Sequence, residues 1–338
     1  IRPMDESGQS LAAVRGSLAA ATQWRADHAG YLDRVAGLSA HGHLASPYPR
    51  PDVLLGMHHP LMARPATHGR IAQAVAYLHG DLATALTGAC HDLRTARMLA
   101  THSDSHLATQ QGARGLELGA QWVATLAGDW PAATPLPAAC DGVAAPLPVE
   151  AVSACAAFAG DNARALAGLE DSLVAAGDQG PSGWWFDLDK TADRFAAHAG
   201  RSCLAPARAE IAADRPVTLQ ADALAPVWHI RCLANLGGCS LGFDATPALR
   251  DYVLRMQDAA GSQGLLGAWL WLRQQPPSGD LTTVLAGLPA GYQSAPRPIA
   301  LSADGQALQV ARYHTAGQNG STLQLPLPAV WQPIPTGH

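Results

Sequence analysis

The sequence predicts a mainly α fold, made of stacked antiparallel helical hairpins with a small C-terminal antiparallel β element. Three observations carry this expectation. Apolar residues recur at steps of three and four through most of the first 290 residues, which is the spacing of one helical face. Alanine, the strongest helix former, makes up about a fifth of the chain. Near residue 298 the period changes from helical to two, the alternation of a strand.

Leu11, Val14, Leu18, Ala21 and Trp24 form the first stripe, which resumes with Tyr31, Val35 and Leu38, and together they predict an amphipathic N-terminal helix. Pro47, Pro49, Pro51 and Pro60 make residues 46–64 an irregular connection, because proline lacks the backbone donor a helix interior needs. Ile71, Val75 and Leu78 form the next stripe, and Leu82, Leu86, Cys90 and Leu93 follow it after Gly80-Asp81. Gly80 can end one helix in the left-handed region and Asp81 can cap the next, so two antiparallel helices are expected. A third helix is expected over 107–126, where Gly112, Gly119 and Ala120 would let a neighbouring backbone come close.

A similar pattern returns with Val152, Cys155 and Ala159, then Gly160-Asp161, then Leu166, Leu169 and Leu173. The repeated Gly-Asp between Ala-rich stripes resembles the hinge of tetratricopeptide-like helical-hairpin repeats. The resemblance implies helical hairpins. Its spacing of about eighty residues is longer than the ~34-residue period of adjacent tetratricopeptide units. Further helices are expected over 192–199, 207–212 and 224–233. Thr246-Pro247 is a helix start with the stripe Leu249, Val253 and Met256, and Leu265, Trp269 and Leu272 form its expected partner, ended by Pro276-Pro277. Ile299 and Leu301, the turn Asp304-Gly305, and Leu308 and Val310 predict a hairpin. Leu323, Leu325 and Leu327 add an edge strand, the only sheet position that suits Pro326 and Pro328. The chain thus reads as three regions: an N-terminal helical region 1–180, a second helical region 181–290, and a β-hairpin with tail 291–338.

Composition excludes several classes. Intrinsic disorder needs low hydrophobicity and high charge, whereas 48% of this chain is hydrophobic and 14% charged. With 22 basic residues against 27 acidic ones and no basic run, nucleic acid is not an expected partner. No stretch approaches the ~18 apolar residues of a transmembrane span. The chain opens on Ile1, the start that a cleaved signal peptide, a removed N-terminal membrane anchor or a trimmed terminus would leave. The six cysteines, even in number and without a CxxC pair, suit disulfides better than zinc or thioredoxin-like chemistry. Cys232 and Cys239, flanking a Gly-containing loop, are the pair expected to bridge. Cys90 and Cys155 lie on apolar stripes, where a buried thiol and a disulfide are both open readings. These features together point to an oxidising compartment, periplasmic or envelope-associated.

Three groups of residues could carry chemistry. Ten of the fourteen histidines occur by His106, and His58, His59, His102 and His106, with Asp104, are the candidates for a metal site. His102 and His106 have the i, i+4 spacing of two ligands on one helical face. Ser103, Asp104 and Ser105 nevertheless read better as a turn and cap, and no HExxH motif is present. Gly238-Cys239-Ser240-Leu241-Gly242 is a formal GxSxG match that makes Ser240 a candidate nucleophile, with His314 and Asp304 or Asp280 as conceivable partners. That motif needs a strand before it and a helix after it, and the preceding residues are helical in pattern. Trp184 and Trp185, in a Gly/Pro loop, could anchor a partner or fold under the loop. No phosphate loop or dinucleotide fingerprint is present, and no cofactor is expected.

The reading that follows is a non-enzymatic helical binding or scaffold protein of the bacterial envelope that engages a protein or peptide, because stacked hairpins form extended concave surfaces. The alternative is a hydrolase, metal-dependent through the N-terminal histidines or serine-dependent through Ser240.

Overall fold

A computed structural model describes residues 10–45, 63–176, 186–219, 232–233, 235–240, 246–277, 280–315 and 321–332. The fold is mainly α with a small C-terminal antiparallel sheet. Its N-terminal part is three short helices, α1 (Ser10–Gly16), α2 (Leu18–Asp27) and α3 (Ala29–Gly37), where the stripe predicts longer ones. The breaks fall at Ser17 and His28. Ser17 Oγ donates to the Ala13 carbonyl at 3.1 Å and His28 Nδ1 lies 2.8 Å from the Trp24 carbonyl, so both side chains engage backbone groups of the preceding turn. Val14, Ala21 and Val35 are still the buried positions.

The predicted hairpin is present as α4 (Ala63–Leu78) and α5 (Leu82–Thr101). Gly80 takes φ +83°, and the Asp81 carboxylate accepts from Thr84 N at 3.1 Å, as the turn chemistry of both residues requires. Helix α6 (His106–Gly128) packs along α5 through Gly112. A Cβ on Gly112 would stand 2.4 Å from the Ala100 amide nitrogen, so only glycine admits this backbone contact. Leu86, Leu93, Leu116 and Leu126 are fully buried in the resulting layer.

The second Gly-Asp is not a corner. Helix α7 (Val149–Val152) is followed by α8 (Cys155–Ala176), which runs unbroken through Gly160-Asp161, and the turn falls earlier, at Ala154 with φ 56°. Helices α9 (Leu188–Ala199), α10 (Ala205–Ala212) and α11 (Leu236–Ser240) follow, while the helix expected over 224–233 falls almost wholly outside the described residues. The expected pair after Thr246 is one long helix, α12 (Thr246–Arg273). Gly267 within it serves packing: a Cβ there would meet the Tyr292 ring at 2.1 Å. A short helix, α13 (Leu281–Ala286), precedes the sheet and packs Leu281, Val284 and Leu285 against the core.

Strands β1 (Ala300–Leu301), β2 (Ala307–Ala311) and β3 (Thr322–Pro326) form an antiparallel sheet in the order β1-β2-β3. Leu308 pairs with Leu325 and Val310 with Leu323, so the predicted apolar face is the buried one. Pro326 ends β3, which lies at one edge of the sheet. The sheet docks on α12, where Trp269 Nε1 donates to the Pro326 carbonyl at 2.6 Å. A buried ionic knot holds this junction. Arg297, 1% exposed, pairs with Asp258 at 3.0 Å and Asp214 at 2.6 Å and lies over the Tyr313 ring. One apolar core includes side chains from α1 to the sheet.

Three disulfides join Cys90 to Cys140, Cys155 to Cys203, and Cys232 to Cys239. The expected Cys232–Cys239 bridge is therefore present, and for Cys90 and Cys155 the disulfide is the realised alternative. Three disulfides fit an oxidising compartment. Among the described residues no helix is long and apolar enough to cross a membrane.

Candidate functional site

Among the described residues, those singled out in the sequence do not assemble into a metal centre. His58, His59, Trp184 and Trp185 lie outside the described residues. His102 is exposed, whereas Asp104 and His106 turn toward α8. There Asp161 accepts from the His106 backbone N–H at 2.7 Å and also bonds the His106 ring and Arg164. Arg164 reaches the Asp104 carboxylate at 3.0 Å as well. A guanidinium thus stands between the two carboxylates, where a metal ion would have to sit. Among the described residues, no three His, Cys, Asp or Glu side chains converge to hold a metal. Burial pushes the Asp161 carboxyl up, but its bonds to His106 and Arg164 outweigh this and leave it below the usual carboxylate range.

Ser240 is the last residue of α11, and Cys239 beside it is tied to Cys232. Gly238 to Ser240 therefore lie on a short helix, whereas a serine hydrolase carries its nucleophile on a strand-to-helix elbow; Leu241 and Gly242 lie outside the described residues. His314 is buried against α12, where its backbone N–H donates to Asp258 at 3.0 Å. Burial holds its imidazole below the usual histidine range.

A different site emerges between the N-terminal helices and the first hairpin. α2 and α3 lean over α4 and α5 and leave between them an open-mouthed cavity of about 440 Å³. Its walls are mostly small or aliphatic, among them Ala26, Leu32, Val35 and Ala72. Two acids line it, Asp33 on α3 and Asp92 on α5. Gln73 Nε2, from α4, donates to Asp92 Oδ2 at 2.7 Å, and the Gln73 carbonyl accepts from Trp122 Nε1 of α6 at 2.6 Å. An indole N–H only donates, so it fixes which end of the Gln73 amide faces Asp92.

Two glycines make room for this chain of polar groups. A Cβ on Gly69 would stand 2.5 Å from Asp92 Oδ2, and one on Gly88 would stand 3.0 Å from Gln73 Cγ. Burial pushes the Asp92 carboxyl up to about 7, against the opposing pull of the Gln73 hydrogen bond and the Arg70 charge. Near neutral pH the cavity therefore holds an acid poised between its two protonation states. Sequence periodicity misses this site because its three polar members sit on three helices. The available signal is Gly69 one turn before Gln73 and Gly88 one turn before Asp92, a small residue beside a polar one on each helix.

Comparison of this chain with protein families, curated proteins and solved structures finds no match.

Proposed function

We propose that the chain is a non-enzymatic helical binding protein of the bacterial envelope, periplasmic or envelope-associated, whose site is the cavity over Asp92. The observation that carries this reading is the cavity itself, about 440 Å³ with apolar walls and one oriented polar chain, Asp92–Gln73–Trp122. Small-molecule sites have this size and composition: an apolar enclosure for the body of the ligand and a few fixed polar groups for its orientation. The three disulfides support the envelope location. Among the described residues, the large apolar side chains that are exposed, Leu107, Leu204, Leu233 and Val330, come from four separate segments. That scatter favours a cavity ligand over the protein or peptide partner expected from stacked hairpins.

The test is native mass spectrometry of untagged protein isolated from its own compartment, beside an Ala72→Trp variant that fills the cavity. The expected result is one small organic molecule per chain in the wild type and none in the variant. A turnover abolished by Ser240→Ala or His106→Ala would overturn this reading in favour of the hydrolase.

A further inference from the structure

We infer that the ligand is a protonated amine on a compact apolar body, with Asp92 as its counter-ion; this rests on the cavity being the binding site. The argument begins with the fixed direction of the hydrogen bonds. Trp122 can only donate, so Gln73 must present its carbonyl to the indole and its NH₂ to Asp92. Asp92 Oδ2 is thereby held as an acceptor, and the carboxyl is wired to offer acceptor capacity inside the cavity. When the carboxyl is ionised, a ligand that answers it must donate.

Charge selects among donors. The charged groups facing Asp92 from the surrounding helices are few. Arg25 on α2 and Asp33 on α3 also line the cavity and are opposite in sign, which leaves Asp92 as its unbalanced acid. Arg70 on α4 attracts Asp92 from outside the cavity lining. Its attraction is smaller than the effect of burial, which dominates at Asp92. An ammonium group entering the cavity places a positive charge on the lining side of Asp92, opposite to Arg70, and a charge-assisted hydrogen bond is stronger than a neutral one. A ligand carboxylate would instead face like charge. The small and aliphatic walls, Ala26, Leu32, Val35 and Ala72 among them, then take an apolar body.

Binding an ammonium group holds Asp92 in its ionised form, so the proton it carries passes to the buffer. With Asp92 at about 7, roughly half a proton is released per amine bound at pH 7, and close to none at pH 9.

The experiment is calorimetric titration of the full chain with three probes of one shape, 2-phenylethylamine, 2-phenylethanol and 3-phenylpropanoate. Wild type, Asp92→Asn and Ala72→Trp are compared, with the heats measured in buffers of different ionisation enthalpy. The expected result is that the amine binds most tightly and releases protons at pH 7. Asp92→Asn should weaken the amine by about tenfold or more while leaving the alcohol unchanged. Should Asp92→Asn fail to fold, proton release in the wild type decides the matter. If the alcohol or the carboxylate binds as tightly as the amine, or the amine releases no proton, the amine assignment is overturned and the cavity reading stands. If no probe binds, or Ala72→Trp changes nothing, both are overturned.

Discussion

The backbone N–H of His106 donates to the Asp161 carboxylate at 2.7 Å, so a side chain on α8 caps the start of α6 from 55 residues away. The same carboxylate holds the His106 ring and Arg164, and Arg164 in turn holds Asp104. One acid thus satisfies an orphan donor at a helix N-terminus, favours the dipole there, and fixes the angle between two helices.

Asp161→Ala should therefore lower stability by about 2 kcal/mol, the sum of a lost cap and a deprived guanidinium. Because the folded-state pKa of Asp161 lies below its unfolded value, its contribution is present above the ordinary carboxylate range and is lost as pH falls through the folded value. Urea unfolding of wild type and variant should then converge in acid. A gap that is constant from pH 7 to pH 3 would show that the carboxylate charge is not what holds the two helices.

Asp92 has the opposite sign. Its folded-state value of about 7 lies above the unfolded one, so the folded chain binds more protons between about pH 4 and pH 7 and stability declines as pH rises through that window. Asp92→Asn removes the ionised form. It should raise the unfolding midpoint at pH 8 by the equivalent of about 2 kcal/mol, after allowance for solvent reaching the cavity, and bring no gain at pH 4. Equal effects at both pH values would contradict this.

The α5–α6 contact makes a sharp steric prediction. Gly112→Ala should destabilise by about 1–3 kcal/mol, because the new methyl group meets the Ala100 backbone, which cannot rotate away. Gly128→Ala, with nothing within 4 Å of the added carbon, should change stability by about 0.5 kcal/mol or less. Thermal unfolding of the two variants would separate them, and similar melting points would argue that the helices do not touch at Gly112.

The disulfides should differ in weight. Cys90–Cys140 closes 50 residues and Cys232–Cys239 closes 7, so chain entropy favours the first at about 4 kcal/mol against about 2 kcal/mol. Paired Cys→Ser variants under denaturant should follow that order. Intact mass under non-reducing conditions should be two protons lower per bridge than in the reduced chain.

The hairpin α4–α5, the helix α6 and the sheet were legible because their signals are local. Gly80-Asp81 carries its own turn chemistry, and Leu308, Val310, Leu323 and Leu325 alternate on a two-residue period. Gly160-Asp161 misleads because the same dipeptide has a second use. Glycine can end a helix, or it can admit a neighbour, and at Gly160 an added Cβ would meet the Asp104 carbonyl at 2.2 Å. The choice is made by Asp104 on another segment, which no window around residue 160 contains. Gly267 and Tyr292 repeat the lesson within α12. The candidate site was hidden for the same reason. Asp92 looks like one more polar residue on a helix until Gln73 and Trp122 converge on it.

The bridge from Arg312 to Glu117, 3.1 Å long, spans 195 residues and joins the end of β2 to the middle of α6. Glu117 is buried, and burial raises its pKa against the pull of Arg312 and Arg114. Until the C-terminal strands arrive, that acid has lost its deepest partner and the apolar flank of α12 has no cover. The order of synthesis therefore runs against early completion: the N-terminal hairpin can form on local contacts, but the last interface must wait for almost the whole polypeptide.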